Sequence, residues 1–178
     1  MKHSKLVAVI ILSYCNVEGI YETLNSILKQ TYDEIELIIS DDATPDFANE
    51  QRKIKEYIDT QKGNNIKNVV FNALPENVGT VKNINSALKK SQGDYIKVLS
   101  AEDCLSHDKA LQRYTEFMEK TNNLICFAKL KGICPDGTVK EKLLSCESDY
   151  NNLIGKTPEY IMNRLFARNF LPAPAWFA

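Results

Sequence analysis

The chain has 178 residues, with 22 Lys+Arg against 23 Asp+Glu, a formal net charge of −1, and 44% apolar side chains. This is the make-up of a folded globular chain with a sizeable core, and it argues against general disorder and against a polybasic nucleic-acid binder. The longest apolar run, Leu6 to Leu12, is far short of the ~20 residues that a transmembrane helix needs.

That run is β-branched and continuous, as in a buried parallel strand. Asn16 then caps a helix whose apolar positions Ile20, Leu24, Ile27 and Leu28 share one face. Ile35 to Ser40 forms a second strand and stops at Asp41-Asp42. Pro45 suits the first turn of a helix running through Ile54 and Ile58 towards Gln61. Gly63 to Asn65 reads as a loop and Val69 to Phe71 as a short third strand. A turn at Pro75 to Gly79 feeds a helix with Val81, Ile84 and Leu88 on one face. Tyr95 to Leu99 is a fourth strand, ending at Ser100-Ala101-Glu102-Asp103. A helix follows from about Asp108 to Lys120. Leu124 to Lys131 and Thr138 to Leu144 flank the hairpin turn Pro135-Asp136-Gly137. Thr157-Pro158 starts a last helix, and an apolar tail runs from Asn169 to Ala178.

Strand and helix alternate over the first ~120 residues, which predicts an α/β fold: a mostly parallel central sheet with helices on both faces and a small antiparallel addition. The apolar tail suggests a single domain, residues 1–178, cut on its C-terminal side from a longer protein. The five cysteines are odd in number and form no Cys-x-x-Cys, so reduced thiols and a cytoplasmic setting are expected.

Ligands of open parallel sheets bind beyond the carboxyl ends of the strands. There the chain puts Ser13-Tyr14-Cys15-Asn16, Asp41-Asp42 and Ser100 to Asp103. Four carboxylates on one rim repel unless a cation sits among them. Mg²⁺ or Mn²⁺ bridging to substrate phosphates is one answer; helix capping by each acid is the other. No phosphate-cradling Gly-rich loop occurs. Lys82 is a candidate cation or a solvated lysine, and Tyr14 a stacking platform or a packing residue.

Five segments in order carry a family likeness. Leu6 to Asn16 (LVAVIILSYCN) resembles an apolar strand followed by P-T/S-Y-N. Tyr21 to Tyr32 (YETLNSILKQTY) resembles L-x-S-I/L-L-x-Q-S/T-Y/F. Glu36 to Thr44 (ELIISDDAT) is similar to E-I/L-I/V-I/V-V-D-D-G-S. Asn77 to Asn85 (NVGTVKNIN) is similar to N-x-G-x-x-x-A-R-N, and Gly93 to Asp103 (GDYIKVLSAED) to G-E/D-Y-I-x-x-L-D-x-D-D. Together they resemble the family 2 glycosyltransferases. The resemblance implies a Rossmann-like GT-A fold and inverting, metal-assisted transfer of a sugar. The donor would be a nucleotide-sugar, usually UDP-linked, and the acceptor the hydroxyl of a saccharide or a lipid-linked acceptor. It implies that Leu12, Ser13 and Tyr14 lie against base and ribose. Asp42, beside Asp41, would accept the imide N–H of a uracil, and Lys82 would help to hold the base end or diphosphate. Ser100 and Ala101 would border the nucleotide, and Glu102 with Asp103 would hold Mn²⁺ or Mg²⁺. Ser100 stands where the D-x-D pattern has its first Asp, and Glu102 where it has the second.

The carboxylate base that inversion needs is expected past Ala178, and no catalytic residue is assigned. A peripheral place at the inner membrane face fits such acceptors, and a homo-oligomer is left open. Two alternatives stand beside this reading: a non-catalytic nucleotide-binding module and a nucleotidyltransferase.

Overall fold

A computed structural model describes residues 4–134, 136–143, 151, 153, 155–167 and 176–178. It separates into two compact units. The first comprises residues 1–126 with Phe177–Ala178, the second residues 127–176.

The first unit is built on β1 (Val7–Ser13), β2 (Ile35–Asp41), β3 (Ile66–Ala73) and β4 (Tyr95–Ser100), all parallel and in the spatial order β3-β2-β1-β4. The helices between them are α1 (Val17–Leu28), α2 (Phe47–Gln61) and α3 (Thr80–Leu88), with α4 (Ala110–Thr121) after β4. Strand geometry sends alternate side chains to opposite faces. On β1, Val7, Val9 and Ile11 join Ile20, Leu24 and Ile27 of α1, Ile54 and Ile58 of α2, and Leu111 and Met118 of α4 in one buried cluster. Ala8, Ile10 and Leu12 join Ile38 and Ala87 in a second cluster, with Ile84 packed against it. Helices therefore cover both faces, as expected. Phe177 of β8 (Trp176–Phe177) pairs antiparallel with Lys97 of β4, and β5 (Cys126–Phe127) follows at that edge.

In the second unit, β6 (Lys131–Ile133) and β7 (Val139–Leu143) pair antiparallel. Helix α5 (Pro158–Ala167) begins as expected, with the Thr157 hydroxyl accepting from Tyr160 N at 3.2 Å.

Three details differ from expectation. Pro45 lies in a turn ahead of α2 rather than inside its first turn; Asp46, at φ 56°, takes the left-handed conformation and the helix begins at Phe47. The inward residues of α3 are Asn83 and Ala87, while Val81 is 72% exposed. A polar anchor sets that rotation: Asn83 Oδ1 accepts from the Ser40 hydroxyl, and its Nδ2 donates to Ser40 O at 3.3 Å. The hairpin is shorter on its first arm, because Cys126–Phe127 joins the main sheet instead. Pro135, Leu144 and the tail from Asn169 to Ala175 lie outside the described residues.

Candidate functional site

β1 has β2 on one side and β4 on the other, so the strand order reverses beside it. A crevice forms at such a reversal, because the connections leave the sheet towards opposite faces. Here it is a cleft of about 220 Å³. Leu12, Ser13 and Tyr14 line it from the end of β1, Asn16 from the start of α1, and Asp42 from the end of β2. Thr80 and Asn83 line it from α3, and Ser100 and Ala101 from the end of β4.

Each strand leaves the sheet through a tight reversal. Cys15, Ala43 and Glu102, directly beyond β1, β2 and β4, have φ of 53°, 67° and 84°. Side chains are uncommon in this left-handed region. Side-chain hydrogen bonds hold the reversals. Asp41, fully buried, accepts from Thr44 N at 2.7 Å and from its hydroxyl at 2.6 Å. The same hydroxyl accepts from Cys15 N at 2.8 Å, which ties the exits of β1 and β2 together.

Asp42 is 4% exposed, and both its oxygens are engaged. Oδ1 accepts from Val78 N and Oδ2 from Gly79 N, each at 2.9 Å. The carboxylate thus latches the turn that opens α3, whose Gly79 has φ 82°. Each carboxylate oxygen has two lone-pair directions, so Asp42 keeps capacity for a further donor from the cleft. Ser13 is 4% exposed, and its Oγ is a buried polar atom with no hydrogen-bond partner. Such an orphan at the wall of a cleft marks where a ligand's polar group would sit. Tyr14, by contrast, is 53% exposed, with ring area left to cover a flat ligand.

The acidic end of β4 divides its labour. Asp103 is folded back: its Oδ2 accepts from Ser100 N at 2.9 Å, and its own N donates to Ser100 O at 3.0 Å. Burial pushes its carboxyl above the ordinary carboxylate range, with that amide and Lys97 opposing. Glu102 is exposed, and its carboxylate has no hydrogen bond or ion pair among the described residues. Its backbone N–H is held by Gly19 O and by the Thr23 hydroxyl, each at 3.0 Å. No group of three or more metal-ligating side chains occurs among the described residues. One unengaged carboxylate suits a cation whose remaining positions go to phosphate and water, rather than a cage made of protein alone.

The cleft thus brings together Leu12, Ser13, Tyr14, Asp42, Ser100 and Ala101 of the residues expected from the sequence. Asp41 stands behind it as a support. Glu102 and Asp103 follow directly on its lining, and Lys82 is exposed on α3 and is not part of the lining. Thr80 and Asn83 were not foreseen, while Asn16 lies at the rim where the end of the first strand was expected to put it. The signal for Asn83 was its i, i+4 spacing to Ala87, a small and polar face suited to close approach to the sheet.

The glycosyl transferase family 2 profile matches residues 8–169. The chain is 32% identical over 139 residues to the putative teichuronic acid biosynthesis glycosyltransferase TuaG of Bacillus subtilis, covering 78% of this chain and 52% of that protein. It is 30% identical to the poly(ribitol-phosphate) β-N-acetylglucosaminyltransferase TarP of Staphylococcus aureus, over 70% of this chain and 36% of that one. Among solved structures, residues 1–349 of S. aureus TarS in complex with UDP superpose with a TM-score of 0.62 at 25% identity. That match covers 76% of this chain and 38% of TarS 1–349. The chain thus spans about half, or less, of the length of these relatives.

Proposed function

The chain belongs to glycosyl transferase family 2, and on that premise we propose that it is the donor-binding part of a glycosyltransferase that takes its sugar from a nucleotide-sugar. The observation that carries this reading is the cleft at the strand-order reversal, with the orphaned Ser13 hydroxyl and the Asp42 carboxylate in its wall.

In this reading the donor carries UDP. Tyr14 covers the base, Asp42 accepts the imide N–H of uracil, and the Ser13 hydroxyl gains the partner it lacks. Cytosine has no hydrogen at that ring nitrogen, so the same carboxylate would face an acceptor and disfavour it. The UDP complex of TarS is consistent with this choice. Asp41 and Asn83 keep the ends of β2 and α3 in place, and Ser100 with Ala101 borders the ribose and phosphates. Lys82 offers a positive charge from α3 to the diphosphate. Glu102 would hold Mn²⁺ or Mg²⁺, which when bound would neutralise charge on the departing diphosphate. Asp103, turned to the Ser100 amide, supports that arm rather than reaching the cation.

Transfer with inversion requires a carboxylate to take the proton of the attacking acceptor hydroxyl. We place that base, and the site for a saccharide or lipid-linked acceptor, outside these 178 residues. No helix of the described residues is long and apolar enough to cross a membrane, and a lipid-linked acceptor would be met at a membrane surface.

The test is a thermal-shift panel on the chain with UDP, GDP, CDP and ADP, each with and without Mn²⁺. A ligand at 100 times its Kd stabilises by about 2.7 kcal/mol, a readily visible shift. A shift with UDP that grows with Mn²⁺ is expected. A shift with CDP equal to that with UDP would remove the Asp42 base contact, and no shift with any nucleotide would overturn the donor-site reading.

A further inference from the structure

A buried hydrogen-bond relay runs behind the α3 wall of the cleft. It joins Asn72 of β3, Ser40 of β2 and Asn83 of α3, which are 2%, 0% and 2% exposed. Asn72 Nδ2 donates to the Ser40 hydroxyl at 2.8 Å and to the Ser86 hydroxyl at 3.1 Å. The Ser40 hydroxyl donates in turn to Asn83 Oδ1, and Asn83 Nδ2 donates to the Ser40 carbonyl at 3.3 Å.

A backbone group fixes the direction of this relay. A carbonyl oxygen can only accept, so the end of the Asn83 carboxamide that faces Ser40 O is its NH₂. The other end, Oδ1, then faces the Ser40 hydroxyl and takes its one hydrogen. The hydroxyl is left as an acceptor, and Asn72 supplies the matching N–H. Turning the Asn83 amide over would set two buried acceptor oxygens against each other, which native interiors avoid.

An amide nitrogen carries two hydrogens. Ser40 O takes one from Asn83, and the second has no acceptor among the described residues. Asn83 also lines the cleft, on a wall it shares with Asp42. Asp42 accepts from Val78 N and Gly79 N at the turn that opens α3. Asn83 N donates to Gly79 O at 3.0 Å, one helical turn further on. A carboxylate acceptor and an amide donor thus stand one turn apart. In the family-like pattern N-x-G-x-x-x-A-R-N, Asn83 falls on the alanine, so the motif gives it no polar role.

We propose that Asn83 is a ligand-contact residue, whose second amide hydrogen is donated to a base carbonyl next to the imide N–H that Asp42 accepts. This deepens the donor-site reading above and rests on it. Uracil carries a carbonyl on each side of that N–H, so it meets acceptor with donor and donor with acceptor. An amino group in place of the contacted carbonyl would set donor against donor, and the relay behind Asn83 keeps the amide from turning over to suit it.

A cycle between ligand and residue tests this on the 178-residue chain with Mn²⁺. The ligands are UDP, 2-thio-UDP and 4-thio-UDP, because sulfur is a weak acceptor beside a carbonyl oxygen. In the parent, one of the two thio analogues should bind about fivefold or more weaker than UDP. In Asn83→Ala, UDP should bind about tenfold weaker than in the parent, and that analogue should match UDP within about twofold. A merely structural role for Asn83 would weaken all three ligands alike. The same thio penalty in the parent and in N83A, or no penalty in the parent, would overturn the assignment. If N83A does not fold, the parent decides. Of its two Asn83 Nδ2 hydrogens, followed by ¹⁵N NMR, the one not bonded to Ser40 O should shift with UDP and shift less with one thio analogue. Equal movement with all three ligands, or none, would overturn the contact. A parent that binds no UDP would bring down the donor-site reading and this contact with it; UDP binding without the thio penalty would bring down the contact alone.

Discussion

Asp42→Asn should separate two jobs that one carboxylate carries. The side chain keeps its shape but replaces one acceptor oxygen with an NH₂ group. That group must face either Val78 N or Gly79 N, both of which now donate to Asp42 at 2.9 Å. A hydrogen bond to a charged acceptor contributes about 1.5–3 kcal/mol, and an orphaned buried donor costs about 1–3 kcal/mol. Gly79 itself is exposed and Val78 half-buried, so water can take over part of the loss. We therefore expect a destabilisation of about 1–3 kcal/mol by urea unfolding, short of the full sum of two lost bonds. The loss should be local as well as global: the Val78 and Gly79 amides should exchange faster than those of β2, since the turn ahead of α3 loses its latch. Affinity for UDP should fall by more than the destabilisation alone explains. A loss under about 0.5 kcal/mol, with both amides exchanging as before, would refute the latch.

Gly19→Ala would place a Cβ 2.6 Å from Glu102 Cγ and 2.7 Å from Asn16 Nδ2. The gain of about 1 kcal/mol in helix propensity and the disturbed Asn16 cap, worth about 1 kcal/mol, should nearly cancel in urea unfolding. The Mn²⁺-dependent part of the UDP thermal shift should nevertheless shrink, because Glu102 must move; an unchanged Mn²⁺ response would contradict this. Ser13→Ala removes a buried hydroxyl without a partner, so the ligand-free chain should hold or gain up to about 1 kcal/mol while UDP binds more weakly; destabilisation of the free chain would show that the hydroxyl is satisfied. Ala43→Gly relieves a side chain at φ 67° and should raise the urea midpoint by the equivalent of about 0.5–1 kcal/mol, with no gain arguing against strain there. Burial raises the Tyr32 phenol to about 12, above the ~10 expected when unfolded. Its stabilising share is present in full below pH ~10 and is lost as pH climbs towards 12, so Tyr32→Phe should flatten the alkaline limb of the pH–stability curve. An unaltered limb would assign that loss to other groups.

The strands were legible because β1 and β2 are buried on both faces: β1 reads as an unbroken apolar run from Val7 to Leu12, and β2 carries the apolar stretch Leu37 to Ile39. The α1 cap was legible because Asn16 followed by an i, i+4 apolar stripe has one economical reading. The rotation of α3 was not, since the stripe Val81, Ile84, Leu88 outvotes a single asparagine when periodicity alone is weighed. The Ser40–Asn83 contact spans 43 residues, and no local pattern reports it. Likewise Asp41, Asp42, Glu102 and Asp103 look alike as letters. Burial and backbone amides divide them into two supports, Asp41 and Asp103, one latch in the cleft wall, and one outward carboxylate. The burial of Lys97 was equally hidden: a lysine in a strand reads as a solvated edge, and only the helices stacked above it and the strand beside it make it a buried charge.

That neighbouring strand bears on when this edge of the sheet is covered. Phe177 is fully buried, stacks 4.8 Å from Tyr114, and its neighbour Ala178 exchanges two backbone hydrogen bonds with Ile96. It reaches β4 eighty residues after Lys97 has been made. At 5–20 residues per second, a ribosome leaves that edge uncovered for roughly 4–16 s. During this interval β4 shows open amides and carbonyls beside a cleft already assembled from β1, β2 and α3, and such an edge invites pairing with another chain. Phe177 and Ala178 thus act as a late seal on this edge, and a variant in which they cannot pair with β4 would turn a transient exposure into a lasting one.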